Sequence, residues 1–173
     1  MDIDLLDDER LQASMAAASL WILVIGILFG VLGATVLPHE PITITWLILL
    51  VAVSLVALPV HELVHALAFK LFSGGRARIR FGFSNWMLYT MAPGCMLPRI
   101  RFCAVLLAPS VVVTMALGFV PAVLGYPLLG WFVAVVHLSG CTGDMAYVRI
   151  ILGEPRAMWV EDTERGIALF RDA

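Results

Sequence analysis

Long apolar runs alternate along the chain with short polar interruptions, and the runs have the length of a bilayer crossing. Residues 16–37 carry no charge, a longer run covers 42–72, and two more cover 101–124 and 128–152. About 20 consecutive apolar residues on a helix span a hydrocarbon core. The pattern predicts an all-α integral membrane protein with four transmembrane helices over these ranges. The 42–72 run exceeds a bilayer core, so it tilts or projects at one end.

The interruptions carry their own signals. Pro38-His39-Glu40-Pro41 reads as a tight turn, as does Gly125-Tyr126-Pro127. Between the second and third runs, residues 76–83 alternate as a strand does, Ser84-Asn85 reads as a turn, and Trp86 to Met91 as a return strand. This predicts a short β-hairpin on the cytoplasmic side. It is either an interfacial connector with arginines at the headgroups or a strand edge that pairs with an extended peptide. Residues 1–14 read as a solvated acidic lead-in. The remainder divides into a membrane-embedded domain, 1–152, and a short cytoplasmic tail, 153–173. Gly26 and Gly30 form a G-x-x-x-G pair. It marks close helix packing, unless it merely reflects how common glycine is in membrane helices.

Composition strengthens this picture. The chain is 61% hydrophobic, with a mean hydropathy of +0.97. Net charge is −2, which gives no reason to expect a nucleic-acid partner. The three cysteines, Cys95, Cys103 and Cys141, form no C-x-x-C pair, which argues against a disulfide framework or a cysteine-based zinc knuckle. The acidic start, MDIDLLDDER, is unlike a secretory signal. With four spans, all eleven Lys and Arg residues fall on one side and the two short turns hold none. The chain is therefore expected to be multi-pass in the cell membrane, with both termini cytoplasmic. Lipid is its surrounding partner, and nothing in the sequence fixes an oligomeric state.

Within the second run stands His61-Glu62-Leu63-Val64-His65. On a helix the two histidines are one turn apart on a shared face, so both imidazoles can reach one metal ion. Glu62 stands beside the first of them and can serve as a general base. Such polar groups are costly in lipid unless they work. Pro59 cannot donate to the helix ladder, and a kink there would aim this face inward.

Two histidines leave a catalytic zinc short of a ligand. Outside the motif, Asp144 is the only acidic residue within a predicted span. His65 lies five residues before Lys70, and Asp144 five before Arg149, so both sit about two turns below the same face. Asp144 is thus the expected third ligand, against a structural role paired with Arg149, with Glu154 and His137 as competitors. Two imidazoles and a carboxylate suit zinc, although iron or cobalt can take the same set. His137 lies two turns before Asp144 on nearly the same face. It could stabilise an oxyanion, ligate the metal, or simply pack against a backbone carbonyl. Cys141, one turn from Asp144, could approach the metal, and the cysteines otherwise read as small apolar groups. His39 is a turn residue with no role.

This motif at the end of one span, with an aspartate near the cytoplasmic end of a later one, resembles the site-2-protease type of intramembrane zinc metallopeptidase. The order of elements and the Gly143-Asp144 pair look closer to a small group of zincin peptidases in bacterial and archaeal membranes. The resemblance runs from the second span to the tail. It implies an α-helical membrane fold, one zinc ion and proteolysis within or beside the membrane. By it His61, His65 and Asp144 match the zinc ligands and Glu62 the catalytic residue. Site-2 proteases typically have glycine after the aspartate, and Asn and Pro in the preceding turns. Here Met145 follows Asp144, that helix has neither Asn nor Pro, and His137 is the candidate for the missing oxyanion partner.

Two functional readings follow. One is a zinc-dependent endopeptidase acting on a membrane protein or peptide, its substrate-binding residues unspecified. The other is a non-catalytic metal-binding membrane protein: a sensor, scaffold or carrier. The half of each span away from the cytoplasm is almost bare of polar groups, which disfavours a transport path.

Overall fold

The computed structural model describes residues 2–3, 9–84, 87–163 and 166–171. Five helices carry most of the chain: α1 (Glu9–Val36), α2 (Ile44–Phe72), α3 (Arg99–Val123), α4 (Pro127–Gly140) and α5 (Thr142–Gly153). The first three are each long and apolar enough to cross a membrane, and α4 with α5 make a fourth if the bent pair is one span. Leu28 and Phe29 on α1, Leu55 and Leu63 on α2, and Val112 and Phe119 on α3 all face outward. An apolar exterior of this extent is compatible with a lipid environment.

Two antiparallel sheets accompany the helices, where the all-α expectation allowed for a single hairpin. One pairs β2 (Arg80–Ser84) with β3 (Met87–Met91), in register Gly82 to Tyr89. This is the expected hairpin, but its first strand starts at Arg80 rather than at residue 76. The backbone before it is engaged elsewhere: Ser73 Oγ accepts from Ala77 N at 2.9 Å, and Arg76 Nε donates to Ser73 O at 3.0 Å. Gly74 and Gly75, both at positive φ, end α2 here, with Gly75 N bonded to Lys70 O at 2.8 Å. Asn85 of the expected turn lies outside the described residues, as does Trp86.

The other sheet has four strands in the order β1-β6-β5-β4. They are β1 (Asp2–Ile3), β4 (Met96–Pro98), β5 (Trp159–Thr163) and β6 (Gly166–Phe170). Within the expected tail, Trp159–Thr163 and Gly166–Phe170 are paired strands, and within the expected lead-in Asp2–Ile3 pairs with β6 and α1 starts at Glu9. Val160, Ile167 and Leu169 are buried with Phe69, Phe102, Val105 and Ile151, so sheet and helix ends share one core. The helix-facing residues of β5 and β6 are too few to stand out as a core element in sequence. Their partners β4 and β1 lie far away along the chain.

Helix packing is close where small residues allow it. A Cβ on Gly26 would collide with the Val135 side chain, and one on Gly30 with Trp131 and Phe132, so both members of the G-x-x-x-G pair face α4. Trp131 Nε1 also donates to Gly26 O at 2.8 Å. A second core, at the other end of the helices, gathers Trp46, Leu128, Leu129 and Val133.

Candidate metal centre

α2 runs unbroken through Pro59 and carries His61, Glu62 and His65 in its second half. The expected single fourth span is broken instead. α4 and α5 meet at Cys141 with a bend of 48°. A break in lipid leaves carbonyls without helical partners, and neighbouring hydroxyls must satisfy them. Ser19 of α1 does so: its Oγ donates to Ser139 O at 2.6 Å and lies 2.8 Å from Thr142 Oγ1. The bend matters because Asp144 sits in the first turn of α5. A carboxylate there is favoured by the helix dipole, and it is turned toward α2.

Three side chains converge. Asp144 Oδ2 lies 3.2 Å from His61 Nε2, Asp144 Oδ1 lies 3.3 Å from His65 Nε2, and the two Nε2 atoms are 3.1 Å apart. Ligand atoms held about 2.0–2.1 Å from a tetrahedral zinc lie about 3.3 Å from one another. The three sides of this triangle are close to that edge length.

The proton inventory points the same way. His65 Nδ1 lies 3.1 Å from Val105 O, a group that only accepts. Nδ1 must therefore carry the proton, and neutral His65 presents the lone pair of Nε2 to a carboxylate oxygen and to His61. A proton on Nε2 would bond well to one of these neighbours. A metal ion engages all three lone pairs at once, so the residues fit a divalent cation with an open fourth position.

Around this triangle, Thr90 Oγ1 of β3 donates to Glu62 O at 2.9 Å, which holds the hairpin against the motif. His137 lies against the other edge of His61, with its Nε2 3.2 Å from His61 Nδ1 and its Nδ1 2.8 Å from Thr114 Oγ1. Cys141 Sγ lies 3.9 Å from His61 Nδ1 and 3.8 Å from His137 Nδ1, and donates to His137 O at 3.3 Å. His61, His137 and Cys141 thus form a second group with ligand spacing, sharing His61 with the first.

A family model described as "Putative zincin peptidase" matches residues 54–159. The chain belongs to this zincin peptidase family. The matched part of the zincin contains His61, Glu62, His65, His137 and Asp144, and also Val105 and Thr114, which hold the ring nitrogens turned away from the triangle. No curated protein and no solved structure matches the chain.

Among the described contacts, Arg149 is not an ion-pair partner of Asp144, and His39 bonds its neighbour's carbonyl, Glu40 O, at 2.7 Å. Thr114, Val105 O, Thr90 and Ser19 were not singled out by the sequence. Thr114 carried a usable signal, as one of two hydroxyl residues, with Ser110, in an apolar span. Val105 carried none, because its contribution is a backbone oxygen.

Proposed function

We propose that this zincin is a zinc-dependent endopeptidase of the cell membrane, cutting a membrane protein or peptide near the cytoplasmic face. His61, His65 and Asp144 would hold the zinc. The observation that carries this reading is the triangle of three lone-pair donors with tetrahedral edge lengths. The clustering of basic residues on one side supports the cytoplasmic orientation.

Zinc supplies Lewis acidity and makes a water nucleophilic near neutral pH. Glu62 takes a proton from the attacking water as its oxygen bonds to the scissile carbonyl carbon. It returns that proton to the leaving nitrogen as the C–N bond breaks. His65, anchored on Val105 O, and His61 keep their Nε2 lone pairs inward. The substrate must be locally extended, because a helix hides its carbonyls in backbone bonds. The β2–β3 hairpin, tied to Glu62 O by Thr90, is the element beside which an extended segment would lie.

The test uses purified protein in lipid nanodiscs, measuring zinc stoichiometry and cleavage of a panel of transmembrane peptides. Wild type and Glu62→Gln should both bind one zinc, and the variant should cleave about 10²–10⁴-fold more slowly. Full activity in Glu62→Gln rules out this mechanism. Tight zinc with no cleavage of any peptide by the wild type supports the metal-binding, non-catalytic alternative.

A further inference from the structure

His61 can turn a lone pair on Nε2 toward a cation only if its other nitrogen, Nδ1, holds the ring proton. That proton needs an acceptor in an interior where an unpaired donor is expensive. The atom facing it is the Nε2 of a second imidazole, at 3.2 Å. An imidazole that accepts at Nε2 carries its own proton on Nδ1, and His137 Nδ1 lies 2.8 Å from Thr114 Oγ1, which can accept. Every ring proton then has one acceptor.

We propose that His137 and Thr114 form a relay behind His61 that fixes its tautomer and orientation, making both of them positioning residues of the metal centre. His61 Nδ1–H donates to His137 Nε2, and His137 Nδ1–H donates to Thr114 Oγ1. This rests on the metal-peptidase reading above. It replaces the oxyanion role expected for His137, because both of that ring's nitrogens are engaged on the side of His61 away from Asp144.

The relay also has a reverse direction. If Thr114 donates to His137 Nδ1 and His137 Nε2–H donates to His61 Nδ1, the His61 proton moves to Nε2 and points at Asp144 and His65. Metal binding excludes that arrangement, so the ion selects one of two directions. The relay joins α2, α4 and α3 through one residue on each, while His65 is fixed separately to α3 through Val105 O. His137 is 8% exposed and Cys141 fully buried, which limits the access of water to the centre of the relay. The Cys141 thiol closes the relay's flank and is itself committed to His137 O.

Zinc dissociation constants, measured by chelator competition, and the visible spectrum of the cobalt-substituted protein test the proposal. The proteins compared are the full chain and its His137→Leu, His137→Gln, Thr114→Val and Thr114→Ser variants. Residues that orient metal ligands typically change metal affinity about 10–100-fold. His137→Leu should weaken zinc binding by that factor. His137→Gln offers an amide oxygen to His61 Nδ1–H and should recover most of the loss. Thr114→Val should lose less than His137→Leu, and Thr114→Ser almost nothing.

Rescue by Gln and Ser separates orientation from misfolding. The wild-type cobalt spectrum should show an oxygen- and nitrogen-ligated ion with no thiolate charge-transfer band. A thiolate band that vanishes in Cys141→Ser would overturn the proposal, by making His61, His137 and Cys141 the ligand set. Normal zinc affinity in His137→Leu with lost cleavage would overturn it too, by putting His137 in contact with the reacting groups. Wild-type protein that binds no zinc removes the metal reading itself, and the relay with it. Unchanged affinity in His137→Leu, where the wild type binds zinc, removes the relay alone.

Discussion

Two carboxylates are held at opposite ends of the helices, and they have opposite kinds of neighbour. Glu40 sits in the turn before α2 and meets only donors: Trp46 Nε1 at 2.8 Å, Leu128 N at 3.1 Å and Leu129 N at 2.6 Å. The two amides are the free N–H groups at the start of α4, so Glu40 caps a helix that begins 87 positions later in the chain. Asp144 meets two imidazole nitrogens, one of them forced by Val105 O to present a lone pair. Burial alone therefore does not mark a functional carboxylate. Glu40 is complete as it stands, and its chemistry is structural. Asp144 faces at least one acceptor, His65 Nε2, and its surroundings fit a cation.

If that contrast is right, the two positions should respond to substitution along different axes. Asp144→Asn should cost the most in metal binding. Loss of an orienting residue already costs about 10–100-fold, and loss of a charged ligand should exceed about 100-fold. The unfolding midpoint of the zinc-free protein should scarcely move. Added zinc should raise that midpoint in wild type, because it binds only the folded chain, and should not do so in Asp144→Asn. A variant that retains wild-type zinc affinity would break the comparison at once.

Glu40→Ala should show the mirror image. It leaves the Trp46 indole N–H and two helix-start amides without their acceptor, at a cost of about 2 kcal/mol in stability. Its zinc affinity should equal that of wild type, measured by the same competition. A shared loss of zinc affinity would mean that the two ends are coupled through α4, which carries the capped amides at one end and His137 at the other.

The contrast also explains what the sequence made legible. The four apolar runs and the His61-Glu62-His65 motif were visible because period and spacing are local. Asp144 was visible because a carboxylate among apolar residues stands out. Glu40 did not stand out. It lies between two prolines in an evident turn, and its partners are a distant indole and backbone amides. The bend at Cys141 was hidden as well, because a broken span has the same hydropathy as a straight one. Its mark was Ser139, Cys141 and Thr142 beside Gly140 and Gly143, which mean a break only once Ser19 is known to satisfy it. The four-stranded sheet escaped for a third reason. β1 pairs with β6 across nearly the whole chain, and no local pattern encodes that register.

The smallest expected effect is the pH dependence of the cap. Burial pushes the Glu40 carboxyl up, but the bonds from Trp46, Leu129 and Leu128 outweigh it and hold the group below the usual carboxylate range. The unfolded chain then takes up its proton at a higher pH than the folded one. Stability from this group is fully present above the ordinary value of 4.5 and is lost as pH falls through the lowered folded value. Asp162 on β5 runs the other way. Burial lifts it from 3.8 to about 6, although Ala92 N donates to it, so the fold gains stability from this group as pH falls through that window. The wild-type profile therefore mixes the two, and the difference between wild type and Glu40→Gln isolates the cap. Unfolding midpoints measured from pH 5.5 to 3 should fall more steeply in wild type than in Glu40→Gln, which keeps one acceptor oxygen but cannot titrate. Parallel profiles would mean that the three donors hold Glu40 no better when it is charged. It would then cap α4 as a neutral acceptor does, and its contrast with Asp144 would rest on geometry alone.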